Sequence, residues 1–189
     1  MREVASALWP ALACTTPRLV LRPLSAADAP ALRAITDDPA VAPFVSFLPH
    51  PFGIDDAHAL IARNHAGAQE RFLGIFRDGA LIGVIGAHAH APVGERPAIE
   101  IGYWLAADAR GAGHAREAAR GLVARLRALA PEAAVVAEVA PENAASRRLL
   151  GDVGFVEAGM AGERPGRGLM VLGGPGLEER KSRVDEDHH

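Results

Sequence analysis

The chain has 189 residues, 49% of them hydrophobic and 23% charged, with 20 Gly, 14 Pro and a single Cys. That length suits one domain, the lone Cys14 excludes a disulfide scaffold and points to a reducing compartment, and the composition excludes collagen-like, coiled-coil and disordered chains. Net charge is -3 and 19 of the 20 basic residues are Arg, so the totals carry no nucleic-acid footprint.

In chain order, residues 1–16 read as a loose arm, 17–172 as the folded domain and 173–189 as a disordered tail rich in Gly, Pro and charge. Arg18-Leu19-Val20-Leu21-Arg22 alternates polar and apolar residues and reads as a first strand. Ser25 is an N-cap for a helix running to about Ile35, and a second helix is expected from Asp55 to about Glu70. Two strands, Phe72–Phe76 and Leu81–Ala87, flank an Asp78-Gly79 hairpin turn. A longer turn over Pro92–Pro97 leads to a fourth strand, Ala98–Leu105. From Gly113 to Leu129, apolar residues at 115, 118, 119, 122, 123, 126 and 129 form a helical stripe, with Arg116, Arg120, Arg125 and Arg127 largely off it. A fifth strand (Ala134–Val139), a helix from Asn143 to about Asp152 and strands at Phe155–Glu157 and Leu169–Leu172 complete the order. The result is an α+β (mixed α/β) class, with a single central, mostly antiparallel sheet flanked by helices. No stretch reaches the ~18 consecutive apolar residues of a membrane span, and a cytoplasmic protein without membrane partners is expected.

The segment that carries chemistry is Arg110-Gly111-Ala112-Gly113-His114-Ala115, between the fourth strand and the long helix. Two glycines here permit a sharp turn that exposes successive N–H groups beside the positive end of a helix dipole, a site for phosphate or pyrophosphate. A P-loop is excluded because no Gly-Lys-Ser/Thr follows, and a dinucleotide fingerprint because Arg116 stands where a small third residue should pack. The pattern Arg/Gln-x-x-Gly-x-Gly/Ala is met by Arg110, Gly113 and Ala115. Composition alone predicts about 0.6 such matches per chain, so the context decides. Glu100-Ile101-Gly102-Tyr103-Trp104-Leu105 precedes the loop, Glu142-Asn143-Ala144-Ala145-Ser146-Arg147-Arg148-Leu149-Leu150 and Gly154-Phe155 follow it, and Arg18-Leu19-Val20-Leu21-Arg22-Pro23-Leu24 opens the domain.

These four ordered stretches resemble the GNAT superfamily of N-acetyltransferases, in particular the RimJ/RimL-type branch that acetylates ribosomal-protein N-termini. The resemblance implies an acyl-CoA N-acyltransferase fold, with acetyl-CoA as cosubstrate and direct transfer to an amine in a ternary complex. In such a fold the pantetheine arm fills a gap between the fourth and fifth strands. Backbone groups of Tyr103, Trp104 and Leu105 would hold that arm and the thioester oxygen. The N–H groups of Gly111, Ala112, Gly113, His114 and Ala115 would hold the pyrophosphate, and Arg110 either braces the loop or reaches a phosphate. Glu100 is the candidate general base, or else a solvated strand-end carboxylate paired with Arg. Its reference pKa of ~4.3 lies nearer an α-amine at ~7.7–8.0 than a lysine amine at ~10.4. Asn143 either bonds the pantetheine amide, caps its helix or does both. Many family members carry a helix Tyr that protonates the departing thiolate; Leu149 and Leu150 stand there, so Ser146 is the remaining hydroxyl for that task, or merely bonds its own helix backbone.

His88 and His90 alternate and share one face of the third strand, but no third ligand lies at a telling spacing, so a substrate-facing wall or a solvated pair is expected rather than a metal site. His114 either adds charge to the loop or is an exposed loop His, and Arg116 is near enough to meet a phosphate. Trp104 and Phe155 are expected in the core. The competing class is a coenzyme A-binding module that has lost catalysis, motivated by the missing Tyr. The amine acceptor, a peptide N-terminus or a small molecule, is not legible, and the resemblance points to a homodimer.

Overall fold

The computed structural model describes residues 9–45, 47–66 and 70–173. The chain forms two compact units, Met1–Val135 and Val136–His189. In the first unit, strands β1 (Cys14–Thr15), β2 (Val20–Pro23), β3 (Glu70–Arg77), β4 (Ala80–Val93) and β5 (Arg96–Leu105) are each antiparallel to the next. Its helices are α1 (Ala29–Thr36), α2 (Ile54–Ala66) and α3 (His114–Leu129). The second unit holds most of β6 (Ala134–Val139), then α4 (Ala144–Val153), β7 (Phe155–Ala161) and β8 (Gly168–Leu172), with β8 antiparallel to both β6 and β7. The α+β class and the mostly antiparallel pairing expected from the sequence are both present.

Strand alternation sorts the side chains of the first unit. Phe72, Phe76, Val84 and Trp104 lie in a buried cluster with Leu32 and Ile35 of α1 and Leu60 and Ile61 of α2. Residues of the other parity, such as Ile85 and Ile101, are buried on the opposite face, and α3 contacts β1 and β5. Gly121 permits that approach, because a Cβ there would stand 2.8 Å from Thr16 Cγ2. The start of α1 is fixed locally: Asp28 accepts hydrogen bonds from the Ser25 N–H and hydroxyl and from Arg22. The β3–β4 hairpin turns on Asp78 and Gly79, both at positive φ (50° and 82°), as its Asp-Gly sequence requires.

Three expectations are corrected. The second helix ends at Ala66, short of Glu70, which already belongs to β3. Near that end, the amide of buried Asn64 ties the helix to β3 by exchanging hydrogen bonds with the Phe72 N–H (2.6 Å) and C=O (2.9 Å). The turn expected over Pro92–Pro97 is only Gly94-Glu95, and both prolines sit inside strands. They face the stretch where the β4–β5 register shifts between His90 and Val93, so no regular ladder bond is forfeited. The described part of the arm, residues 9–15, is also ordered. Trp9–Leu12 forms a 3-10 turn, Cys14–Thr15 pairs with β2, and Arg125 donates to the Ala11 carbonyl. Leu12 is fully buried, a contribution of about 1.5–3 kcal/mol that a loose arm would forgo. Residues 1–8 of the arm and 174–189 of the expected tail lie outside the described residues. No helix among the described residues is long and apolar enough to cross a membrane.

Candidate functional site

The glycine loop leaves β5 at Leu105 and passes through a 3-10 turn, Ala107–Ala109. Gly111 and Gly113 follow at φ +77° and +79°, the left-handed region that side chains disfavour. Gly113 is the N-cap of α3, and among the described residues no side chain caps that helix. The N–H groups of its first turn therefore have no acceptor inside the helix, and the dipole adds positive potential where they point.

Side chains brace this loop. The Arg110 guanidinium donates twice to the Leu105 carbonyl (3.1 and 3.0 Å) and pairs with Asp38 (3.2 Å). Its position is that of a strut across the loop base. His114 is 3% exposed rather than an exposed loop residue. Its Nδ1 lies 3.1 Å from the Ala109 carbonyl and its Nε2 3.5 Å from Arg77 Nη1. A neutral ring with the proton on Nδ1 satisfies both neighbours, so the ring supports the loop and only the backbone N–H of His114 belongs to the helix start.

Two arginines flank Gly113. A Cβ built there would lie 3.6 Å from Arg18 Nη2 and 3.8 Å from Arg116 Nη2. Arg18 also donates to the Ala112 carbonyl (3.1 Å) and, through Nε, to Glu117 (2.6 Å). Glu117 further accepts from the Thr16 hydroxyl (2.6 Å) and the Arg18 N–H (2.8 Å). Burial pushes the Glu117 carboxyl up, but these hydrogen bonds and the Arg18 charge outweigh it and hold the group below its ordinary value. Arg18 is the residue that sequence reasoning missed here. It was legible only as a strand residue, because its loop partner lies 94 positions away.

The second part of the site is the β4–β5 face that shares its parity with Val84 and Trp104. Opposed pairs follow one another along it: Val84 with Trp104, Gly86 with Gly102, His88 with Glu100 and His90 with Ala98. Trp104 is core, donating to Thr36 Oγ1 (3.1 Å) and packing edge-on against Phe47 and Phe72. Among the described residues, a Cβ on Gly102 would meet nothing within 4 Å, so they leave the face open between Trp104 and Glu100. Glu100 is buried, and its Oε2 lies 2.7 Å from His88 Nε2. His90 is also buried, with Nδ1 2.8 Å from the Ala91 carbonyl.

The Ala106 N–H donates to the Ile82 carbonyl, which sets the phase of the β4–β5 ladder. By alternation, Trp104 directs its amide groups toward β4, while Tyr103 and Leu105 direct theirs away from it. The Leu105 carbonyl is the one that Arg110 engages.

In the second unit, Asn143 caps α4: its Oδ1 accepts from the Ser146 N–H at 3.0 Å. Ser146 is half-buried in the first turn of that helix, Leu149 is half-buried and Leu150 is buried. Phe155 is core, as expected. The buried carboxylate of Glu138, which sequence reasoning did not single out, accepts from the N–H groups of Glu163 and Arg164 and from Arg164 Nε.

The family model described as an acetyltransferase (GNAT) domain matches residues 18–156. No curated protein matches the chain. Among solved structures, an acetyltransferase from Agrobacterium tumefaciens str. C58 is 25% identical, with a TM-score of 0.69 over 86% of this chain and 94% of its own. RimJ from Mycobacterium smegmatis, in complex with CoA-disulfide, is 23% identical, with a TM-score of 0.67 over 82% of this chain and 80% of its own. A RimL ribosomal L7/L12 α-N-protein acetyltransferase, in complex with coenzyme A, is 19% identical, with a TM-score of 0.67 over 84% of this chain and 95% of its own.

Proposed function

The chain belongs to the GNAT acetyltransferase family, and on that premise we propose that it is an acetyl-CoA-dependent N-acetyltransferase acting on a primary amine by direct attack in a ternary complex. The observation that carries the reading is the start of α3: two glycines at positive φ, a helix with no side-chain cap, and Arg18 and Arg116 beside it. That arrangement suits a pyrophosphate, which would take the N–H groups from Gly111 to Ala115 and the flanking positive charge. Tyr103 and Leu105, whose amides face away from β4, are the proposed backbone partners of the pantetheine arm and the thioester oxygen.

The amine nitrogen attacks the thioester carbon, the N–C bond forms, and the C–S bond breaks with its electron pair on sulfur. Glu100 supplies the carboxylate of the general base, and Ser146 is the hydroxyl proposed to donate to the leaving thiolate. Asn143 is proposed to bind the pantetheine amide through its side-chain nitrogen while its oxygen caps α4. An α-amine is the favoured acceptor, because its reference pKa of ~7.7–8.0 demands less of the base than a lysine amine at ~10.4. A cytoplasmic location, consistent with the single Cys14, belongs to the same reading.

The test is thiol release from acetyl-CoA against a panel of N-terminally free seryl, alanyl and methionyl peptides, their Nα-blocked counterparts and small alkylamines. Release with free but not blocked peptides is expected. Thermal stabilisation by coenzyme A without release from any amine would contradict the assignment.

A further inference from the structure

Glu100 is an awkward base on its own. Its side chain is 6% exposed, so a proton taken from each amine must leave through something wetter, and its reference pKa sits ~3.5 units below that of an α-amine. The group touching it answers both points. His88 is 28% exposed at its side chain, and its Nε2 is 2.7 Å from Glu100 Oε2. The two residues are directly opposed in the β4–β5 ladder, so both backbones are held by strand pairing. A nitrogen at this distance from a carboxylate carries the hydrogen, which leaves the lone pair of the neutral ring on Nδ1.

We propose that His88 and Glu100 form one proton-accepting dyad, in which His88 Nδ1 takes the amine proton and Glu100 orients the ring and stabilises the imidazolium. This rests on the reading of Glu100 as part of the base and deepens it. In the step, the amine nitrogen gains its bond to the acetyl carbon and loses one proton, directly or through water, to Nδ1. The pair passes from carboxylate and neutral imidazole to carboxylate and imidazolium, and the sulfur departs with the electron pair of the broken C–S bond. The proton then leaves from the exposed ring. A histidine at a reference pKa of ~6.5 lies much closer to an α-amine than Glu does. The other titratable residues of the first unit at neighbouring positions are His90, bonded to the Ala91 carbonyl, and Glu70, opposite His88 on β3.

Two readouts test the dyad. First, 15N NMR of the imidazole should show His88 protonated on Nε2 in the wild-type protein, with that preference lost in Glu100→Gln; a ring protonated on Nδ1 overturns the proposal. This needs no acceptor, so absence of turnover with every amine would defeat the acetyl-transfer reading alone. Second, with the fastest amine of the peptide panel, His88→Gln keeps a donor to Glu100 but offers no basic nitrogen to take the proton. Its kcat should fall by about 100-fold while the KM for acetyl-CoA holds, and added imidazole should restore part of the rate in His88→Ala. Wild-type kcat in His88→Gln would reduce His88 to a structural neighbour and overturn the dyad.

Discussion

Between Gly111 and Ala115 the polar groups presented at the helix start are backbone N–H groups, whereas on the β4–β5 face they are side chains, among them His88 and Glu100 on different strands. The loop needs conformational freedom at two glycines and braces from Arg110, His114 and Arg18. The strand face needs register, since a shift of one residue would send Glu100 to the opposite side of the sheet. In the proposed function the two regions divide the labour: the loop holds the coenzyme and the face performs the proton transfer. Substitutions in one region should leave the other's task intact.

The largest separation is expected from Glu100→Gln. Turnover should fall by about 10²–10⁴-fold while coenzyme A affinity stays near wild type, read by steady-state kinetics beside equilibrium binding. Equal losses in both would merge the two regions. A smaller effect is expected at Gly102, where the face is open. Gly102→Val should raise the KM for the amine by about tenfold or more by filling that space, with the KM for acetyl-CoA unchanged. An unaltered amine KM would remove this opening from the acceptor site.

The smallest effect concerns the brace and not the chemistry. The Glu117 carboxyl is held below its ordinary value, so its stabilising contribution is fully present above the unfolded carboxyl pKa of ~4.3 and is lost as pH falls through the lower folded value. Glu117→Gln should thus melt a few degrees below wild type at pH 7, and the gap should narrow as pH falls below the unfolded value of ~4.3. A gap that persists at low pH would assign the loss to packing instead of charge.

The difference between the regions also explains what could be read in advance. The loop was legible because Arg110, Gly111, Gly113 and Ala115 are close in sequence and because glycine has a local conformational meaning. The β3–β4 hairpin was legible for the same reason, through Asp78 and Gly79. In the next hairpin the prolines point to a longer turn than the chain makes, because Pro92 and Pro97 occupy an irregular stretch of paired strand. His88, His90 and Glu100 could each be placed on a strand, yet their meeting depends on cross-strand register, which no single stretch encodes. Arg18 and His114 were misjudged for a related reason. Arg18 acquires its role from a partner that the chain brings back from far away, Ala112, and His114 is held by Ala109 nearby and by Arg77 from a distant strand. The tie between α2 and β3 belongs here too, because the side chain of Asn64 meets the backbone of Phe72, eight residues on.

The division of labour is tested most directly by titrating coenzyme A into three proteins by calorimetry: wild type, Gly113→Val and Glu100→Gln. A β-branched residue at φ +79° is a steric outlier, so Gly113→Val should distort the helix start and weaken binding by about tenfold or more. Glu100→Gln should bind as wild type does. Retained affinity in Gly113→Val together with lost affinity in Glu100→Gln would contradict the account.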